Sequence, residues 1–513
     1  MAQKSVLVLI VSALLASCSD AGSSGAPSRP VTLTVATDRS VTEVDPRFLS
    51  VAVDSAQVVG AKFWNPSGET ESGAGNTPVP PYDFANPKLR ALARHLAPAY
   101  LRIGGSEADR VYYDMSGQAG GVPPRPYESV LTRAQWDGVA DFARALDFSI
   151  VFTINAGPGP RDENRAWVDT NARELLTYTR DQGFPIAMWE LGNEVNGFRV
   201  IHGFDFEIDG AQFAADTKKA RALVDELAKG VLLSAPSSAY WPVTGEPLPV
   251  MKQFLDAGGG ASIDVLTWHY YPMQSSRCAL ATRRATLDLL EDPAFYDELD
   301  RWAGELEGMR DQSGAKIPIW LGETGGAQCG GQPELSETFA GGFWWIDLLG
   351  RAARRGHRVV VRQTLSGSQY GLLDDITFDP RPDYFTSVLF HRLMGTRVLD
   401  VRSDDPKLRV HAHCATTGPG DVALSYAAID AERAADLTID LPGSAEHWAL
   451  HADTKNAKVA RLNGEKLELS ASGELPPLGG RMLARGAQAI TVRVEPWSYG
   501  FIVVRGANAA ACK

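Results

Sequence analysis

Eight short apolar runs, at 48–53, 100–103, 149–154, 187–191, 231–234, 263–268, 317–321 and 358–362, recur between residues 45 and 395. Each is too short for a stable helix and rich in Val, Ile, Leu and aromatic residues, the pattern of strands buried on both faces. Between them lie stretches with helical periodicity, at 87–96, 133–146, 168–182, 212–229 and 336–355. Buried strands that alternate with helices form a parallel sheet, and eight of them predict a closed (β/α)8 (TIM) barrel over residues 45–395. Such a barrel collects its chemistry at the carboxyl ends of the strands.

The texture changes after residue 395. Alternating segments at 408–412, 421–428, 435–441, 489–494 and 499–504 are separated by Gly, Pro, Asn and Asp. This predicts a smaller antiparallel β-sandwich over 396–513. Residues 31–44 carry the same alternation (Val31, Leu33, Val35) and are expected to add a strand to it. The segment 62–86, rich in Gly, Pro, Ser and Thr, reads as a loop near the barrel mouth.

At the N-terminus, Lys4 precedes an apolar stretch too short to serve as a permanent membrane span. It ends in Leu15-Ala16-Ser17-Cys18, which resembles a bacterial lipobox. Residues 1–18 are therefore expected to be a lipoprotein signal with Cys18 as the lipidated residue, and 19–30 a small-residue tether. The expected location is a bacterial membrane surface, periplasmic or extracellular. The remaining four cysteines, Cys278, Cys329, Cys414 and Cys512, suit an oxidising compartment, and three pairings are open to them. No two stand at zinc-ligand spacing, so no metal is expected. A net charge of −12, from 62 acidic and 50 basic residues, disfavours nucleic acid and long polyanions as general partners.

Two of the apolar runs end in glutamate. Glu194 follows 187–191 through Gly192-Asn193, and Glu323 follows 317–321 through Gly322. Two carboxylates at strand ends of one barrel are the equipment for cleaving a glycosidic bond. One protonates the leaving oxygen while the other attacks the anomeric carbon, about 5–5.5 Å from the first in a retaining enzyme. On this reading Glu194 is the acid/base and Glu323 the nucleophile. The chemistry needs no cofactor.

Trp189-Glu190-Leu191-Gly192-Asn193-Glu194, Trp320-Leu321-Gly322-Glu323-Thr324, Arg362-Gln363, the string 336–343 and Phe378-Asp379-Pro380-Arg381-Pro382-Asp383-Tyr384 together resemble the heparanase-like β-glucuronidases. These are retaining enzymes of the large TIM-barrel glycosidase clan. The resemblance runs from about residue 45 to the C-terminus. It implies that Asn193 holds the sugar 2-OH and that Asp54, Ser106 and Gln363 contact hydroxyls of a terminal uronate. It implies further that Gly330, through its N–H, and Tyr370, through its phenol, grip the uronate carboxylate. His269 and Tyr271 match the strand that lines the pocket and orients the nucleophile. The resemblance also implies a Cys414–Cys512 disulfide, and the two cysteines then left over, Cys278 and Cys329, lie after neighbouring barrel strands and are expected to pair.

The chain departs from the family pattern in places. Gln328-Cys329 replaces a tyrosine and a glycine in the uronate loop, Glu107 stands where animal members have lysine, and 237–250 contains no Lys or Arg. Residues 115–127 replace a long excised linker, so a single chain, expected to be monomeric, needs no processing. The expected substrate is a glucuronide or a glucuronic-acid-containing oligo- or polysaccharide, cleaved in exo or endo fashion. The alternatives are another β-glycosidase of the clan, such as a xylosidase or glucosidase, and a surface lipoprotein that binds glycans without cleaving them.

Overall fold

In the computed structural model, which describes residues 26–64, 76–483 and 489–513, all eight expected runs are strands. They are β1 Leu49–Asp54, β2 Ala99–Gly104, β3 Phe148–Ile154, β4 Ile186–Leu191, β5 Leu232–Tyr240, β6 Val265–Tyr270, β7 Ile319–Thr324 and β8 Val360–Arg362. Neighbours pair in parallel throughout, and β8 pairs with β1 to close the barrel. Helices pack outside. Arg133–Ala145 starts at Thr132, whose hydroxyl accepts from the Gln135 N–H while the Gln135 side chain returns to Thr132. Trp136, Val139, Ala140 and Ala143, at helical spacing, are its buried stripe. Two further helices, Pro293–Gln312 and Pro382–Leu393, lie outside the stretches singled out by periodicity.

Period-two alternation stacks the barrel interior in layers. Ala52, Val151, Met188, Val265, Trp320 and Val361 form an apolar floor. Two residues further along their strands, Thr153 and Glu190 meet Arg102 from β2, all buried. β7 would present Glu323 to the outside under strict alternation. Its pairing with β6 slips by one residue, Leu321 opposite Trp268 but Glu323 opposite His269. The extra residue, Gly322, turns the Glu323 side chain into the barrel.

The C-terminal domain has two sheets. Leu408–Ala415, Val422–Ala428, Ser498–Arg505 and Ser444–His451 pair antiparallel in the larger one. Its central strands, Val422–Ala428 and Ser498–Arg505, are buried on both faces, because one face meets the second sheet while the other meets the barrel around the start of helix Gly341–Arg354, where Phe339 stacks on Tyr499 at 4.5 Å and Phe343 on Trp497 at 4.2 Å. The smaller sheet contains one exception to the expected antiparallel order: Ser28–Val35 runs parallel to Ala434–Ile439. That strand enters from the N-terminus rather than through a hairpin, so nothing forces it to reverse.

The tether expected over 19–30 is correspondingly shorter, since Ser28, Arg29 and Pro30 already pair with Ala434, Ala435 and Asp436. Arg29 is held there by Asp405 and Asp430. The signal segment, Cys18 and residues 19–25 of that tether lie outside the described residues. The expected loop at 62–86 is in part a ribbon, Lys62–Trp64 against Asn76–Pro78. Cys278–Cys329 and Cys414–Cys512 are disulfides, with Cα–Cα distances of 5.5 and 5.2 Å. Among the described residues no helix is long and apolar enough to cross a membrane.

Candidate active site

Glu194 and Glu323 meet at the carboxyl end of the barrel. A carboxylate oxygen of each and a ring nitrogen of His269 all lie within 4.8 Å of one another. That separation belongs with the ~5–5.5 Å of retaining glycosidases and is too short for the ~6.5–9.5 Å that an inverting enzyme needs to seat a water. Glu194 itself sits at φ 51°, ψ 50°, a left-handed conformation that costs a non-glycine residue of order 1–3 kcal/mol. Its N–H donates to the Ser237 carbonyl at 3.1 Å, which fixes the turn.

The two carboxylates have different surroundings. Glu323 Oε2 accepts from Arg102 Nη1 at 2.7 Å and Oε1 accepts from the Tyr271 hydroxyl at 2.7 Å. Burial pushes its pKa up, but nearby His269 and Arg102 and the two hydrogen bonds outweigh burial and hold it below the usual range. Glu323 therefore stays ionised, as a nucleophile must. Among the described residues Glu194 has one side-chain partner, His269 Nδ1 at 3.2 Å, and it is the more open of the two, 17% exposed against 8%. Glu194, His269 and Glu323 are also the residue types of a cation site. With both Glu323 oxygens already taken by Arg102 and Tyr271, the set fits a nucleophile better than a metal ligand.

Asn193 is fixed from three sides. Its N–H donates to Asp109 Oδ2 at 2.9 Å, and its Oδ1 accepts from Arg102 Nη2 at 2.9 Å and from the Gly105 N–H at 3.2 Å. The carboxamide nitrogen finds no acceptor among the described residues, and the residue, 1% exposed, does not itself line the cavity that holds Glu194. Asp54 Oδ2 accepts from Gln363 Nε2 at 3.1 Å, and burial, with Glu323 and Glu107 adding to it, raises the Asp54 pKa to about 7. Gly105 serves this corner in two ways: its φ is +91°, and a Cβ there would lie 2.1 Å from Asp54 Oδ2.

Asp54, Ser106, Glu194, Tyr271, Glu323, Gln363 and Tyr370 line one cavity of about 580 Å³. His269 does not. It is fully buried, with Nδ1 3.2 Å from Glu194 and 4.0 Å from Glu323, a place from which it can orient the carboxylates without reaching the cavity. Gly330 is buried behind Cys329, which does line the cavity. At Gly330 φ is +82° and a Cβ would fall 2.5 Å from Ser368 Oγ and 2.5 Å from Trp64 Cβ, so the turn requires glycine. The N–H groups of Cys329 and Gly330 find no acceptor among the described residues.

Three site residues escaped the sequence reading of function. Glu190 Oε1 accepts from Arg102 Nη2 at 2.6 Å and from Thr153 Oγ1 at 2.7 Å, so Arg102 spans Glu190, Asn193 and Glu323. Asp109 anchors the Asn193 and Ala156 backbone. The signal was present: Arg102 and Glu190 are opposite charges inside otherwise apolar strands.

Comparison with known proteins follows the same lines. Residues 31–350 match the N-terminal domain of glycosyl hydrolase family 79. The chain is 32% identical to heparanase of Bos taurus, over 93% of this chain and 91% of that protein. It is 28% identical to baicalin-β-D-glucuronidase of Scutellaria baicalensis, over 91% of each. The fold also matches a 4-O-α-L-rhamnosyl-β-D-glucuronidase from Fusarium oxysporum at TM-score 0.66, with 16% identity, over 92% of this chain and 100% of that one.

Proposed function

The chain belongs to glycosyl hydrolase family 79, and from that premise we propose that it cleaves β-D-glucuronosyl linkages with retention of configuration. The observation that carries the mechanism is the approach of Glu194 to Glu323 within 4.8 Å, with Arg102 and Tyr271 bonded to Glu323 and not to Glu194. Glu194, protonated, gives its proton to the glycosidic oxygen as the bond to the anomeric carbon breaks. Glu323 attacks that carbon from the opposite face and forms a glucuronosyl ester. Glu194, now a carboxylate, takes a proton from a water that attacks the same carbon, and the ester bond breaks to release glucuronate.

Asn193 donates to the sugar 2-OH, an interaction that strengthens in the transition state. Asp54, Ser106 and Gln363 face the remaining hydroxyls. The N–H groups of Cys329 and Gly330, without an acceptor among the described residues, suit the uronate carboxylate together with Tyr370: fixed dipoles and a phenol bind an anion without placing a full positive charge beside Glu194. The Cys278–Cys329 disulfide pins that loop to the one after β6.

Cys18 as a lipid anchor, export and action as a monomer belong to the same reading. The lipobox-like 15–18 and disulfides suited to an oxidising compartment support the first two. Turnover of nitrophenyl glucuronide against nitrophenyl glucoside tests the substrate. A strong preference for the glucuronide is expected, and equal rates would overturn uronate recognition.

A further inference from the structure

Three side chains at the mouth of the cavity are far more exposed than apolar groups of their size usually are: Phe204 at 78%, Val200 at 66% and Leu280 at 66%. They come from separate segments, the short helix Phe198–Ile201 with the turn that follows it after β4 and the loop after β6, yet all line the cavity that holds Glu194. Trp241 and Leu248, from the loop after β5, continue the same wall. An exposed apolar cluster that converges on a cleft marks a binding surface rather than accidental exposure.

The wall is built, not loose. Arg110 Nη2 donates to the Ile201 carbonyl at 2.6 Å, and Phe198 stacks on Phe206 at 5.8 Å, bracketing the turn that carries Phe204. Its chemistry also selects against a sulfated chain. Among the described residues that line the cavity Arg199 is the one Lys or Arg, and Glu207 pairs with it at 3.2 Å. A sulfate placed there would meet the apolar side chains of Val200, Phe204 and Leu280 and a cation already paired with Glu207. A saccharide would stack on aromatic rings but would leave its hydroxyls facing Val200 and Leu280 without partners.

The sugar side is occupied by Asp54, Ser106, Gln363 and Tyr370, which leaves the Phe204 wall for the leaving group. We propose that this wall is an aglycone site for an apolar, ring-bearing hydroxyl compound, so that the substrate is the glucuronide of a small hydrophobic molecule. The inference rests on the β-glucuronidase reading above. It adds the identity of the leaving group.

The test compares kcat/KM for phenyl and naphthyl β-D-glucuronides, whose leaving groups are similarly acidic, and for a glucuronosyl-linked sulfated disaccharide. Burial of the second ring is expected to favour naphthyl over phenyl by about tenfold. In a Phe204→Ala, Leu280→Ala double variant that ratio is expected to fall toward about twofold. β-Glucuronosyl fluoride, whose leaving group cannot reach the wall, reports the chemistry separately. Turnover of the fluoride with a naphthyl-to-phenyl ratio near one, or with the disaccharide preferred, would overturn the aglycone site and leave the glucuronidase reading intact. No turnover of the fluoride would overturn both.

Discussion

Arg102 Nη1 donates to Glu323 Oε2 at 2.7 Å, with the two side chains 1% and 8% exposed. The same guanidinium bonds Glu190 and Asn193, so one buried cation fixes the proposed nucleophile, a second carboxylate and the residue proposed to hold the 2-OH. Arg102→Ala would strand two buried carboxylates and is expected to destabilise the fold by about 3–5 kcal/mol, read as a lower denaturation midpoint. Arg102→Met with Glu190→Leu is expected to recover part of that stability while kcat stays depressed, because Glu323 still lacks its partner. Recovery of kcat along with stability would show that Arg102 serves the fold alone.

Tyr271 separates stability from chemistry. Its hydroxyl donates to the ionised form of Glu323, a charge-assisted bond of about 1.5–3 kcal/mol. Tyr271→Phe is expected to lower kcat by about ten- to a hundredfold with little change in melting temperature. Loss of a donor to the charged form raises the Glu323 pKa. Activity requires that form, so the acidic limb of the pH profile is expected to move to higher pH. An unmoved limb would remove Tyr271 from the account of the nucleophile.

Asp109 gives a pH signature in stability. Burial raises its pKa from 3.8 to about 7, despite the Ala156 and Asn193 N–H groups that favour the charged form. Between those values the folded state binds more protons than the unfolded one, so this group's contribution to stability declines as pH rises toward about 7. Asp109→Asn does not titrate. Whatever its constant cost, its melting temperature relative to wild type is expected to be more favourable at pH ~8 than at pH ~5. A difference independent of pH would contradict the buried, proton-holding state.

The barrel was legible because every strand is buried on both faces and therefore reads as an apolar run. Glu194 and Glu323 stood out because each ends such a run beside small residues. What set Glu323 inside the barrel, the one-residue slip at Gly322, depends on pairing with β6 and has no local signature. The Arg102–Glu190 pair could have been sought as opposite charges in buried strands, but alternation does not say which strands face each other across the barrel. The Phe204, Val200 and Leu280 wall was invisible for a similar reason. It draws on short connecting segments after different strands, and a single apolar residue in such a segment carries no meaning by itself. The parallel pairing of Ser28–Val35 escaped because alternation predicts a strand without its direction.

The assignment of Glu323 as nucleophile is tested most directly by trapping the glycosyl ester. A 2-deoxy-2-fluoro-β-glucuronosyl fluoride retains a good leaving group while its fluorine slows hydrolysis of the intermediate, so the ester accumulates. Mass spectrometry of the digested protein is expected to find the label on the peptide that contains Glu323, with activity lost in proportion to labelling. A label on Glu194 or elsewhere, or turnover with inverted product and no label, would contradict it.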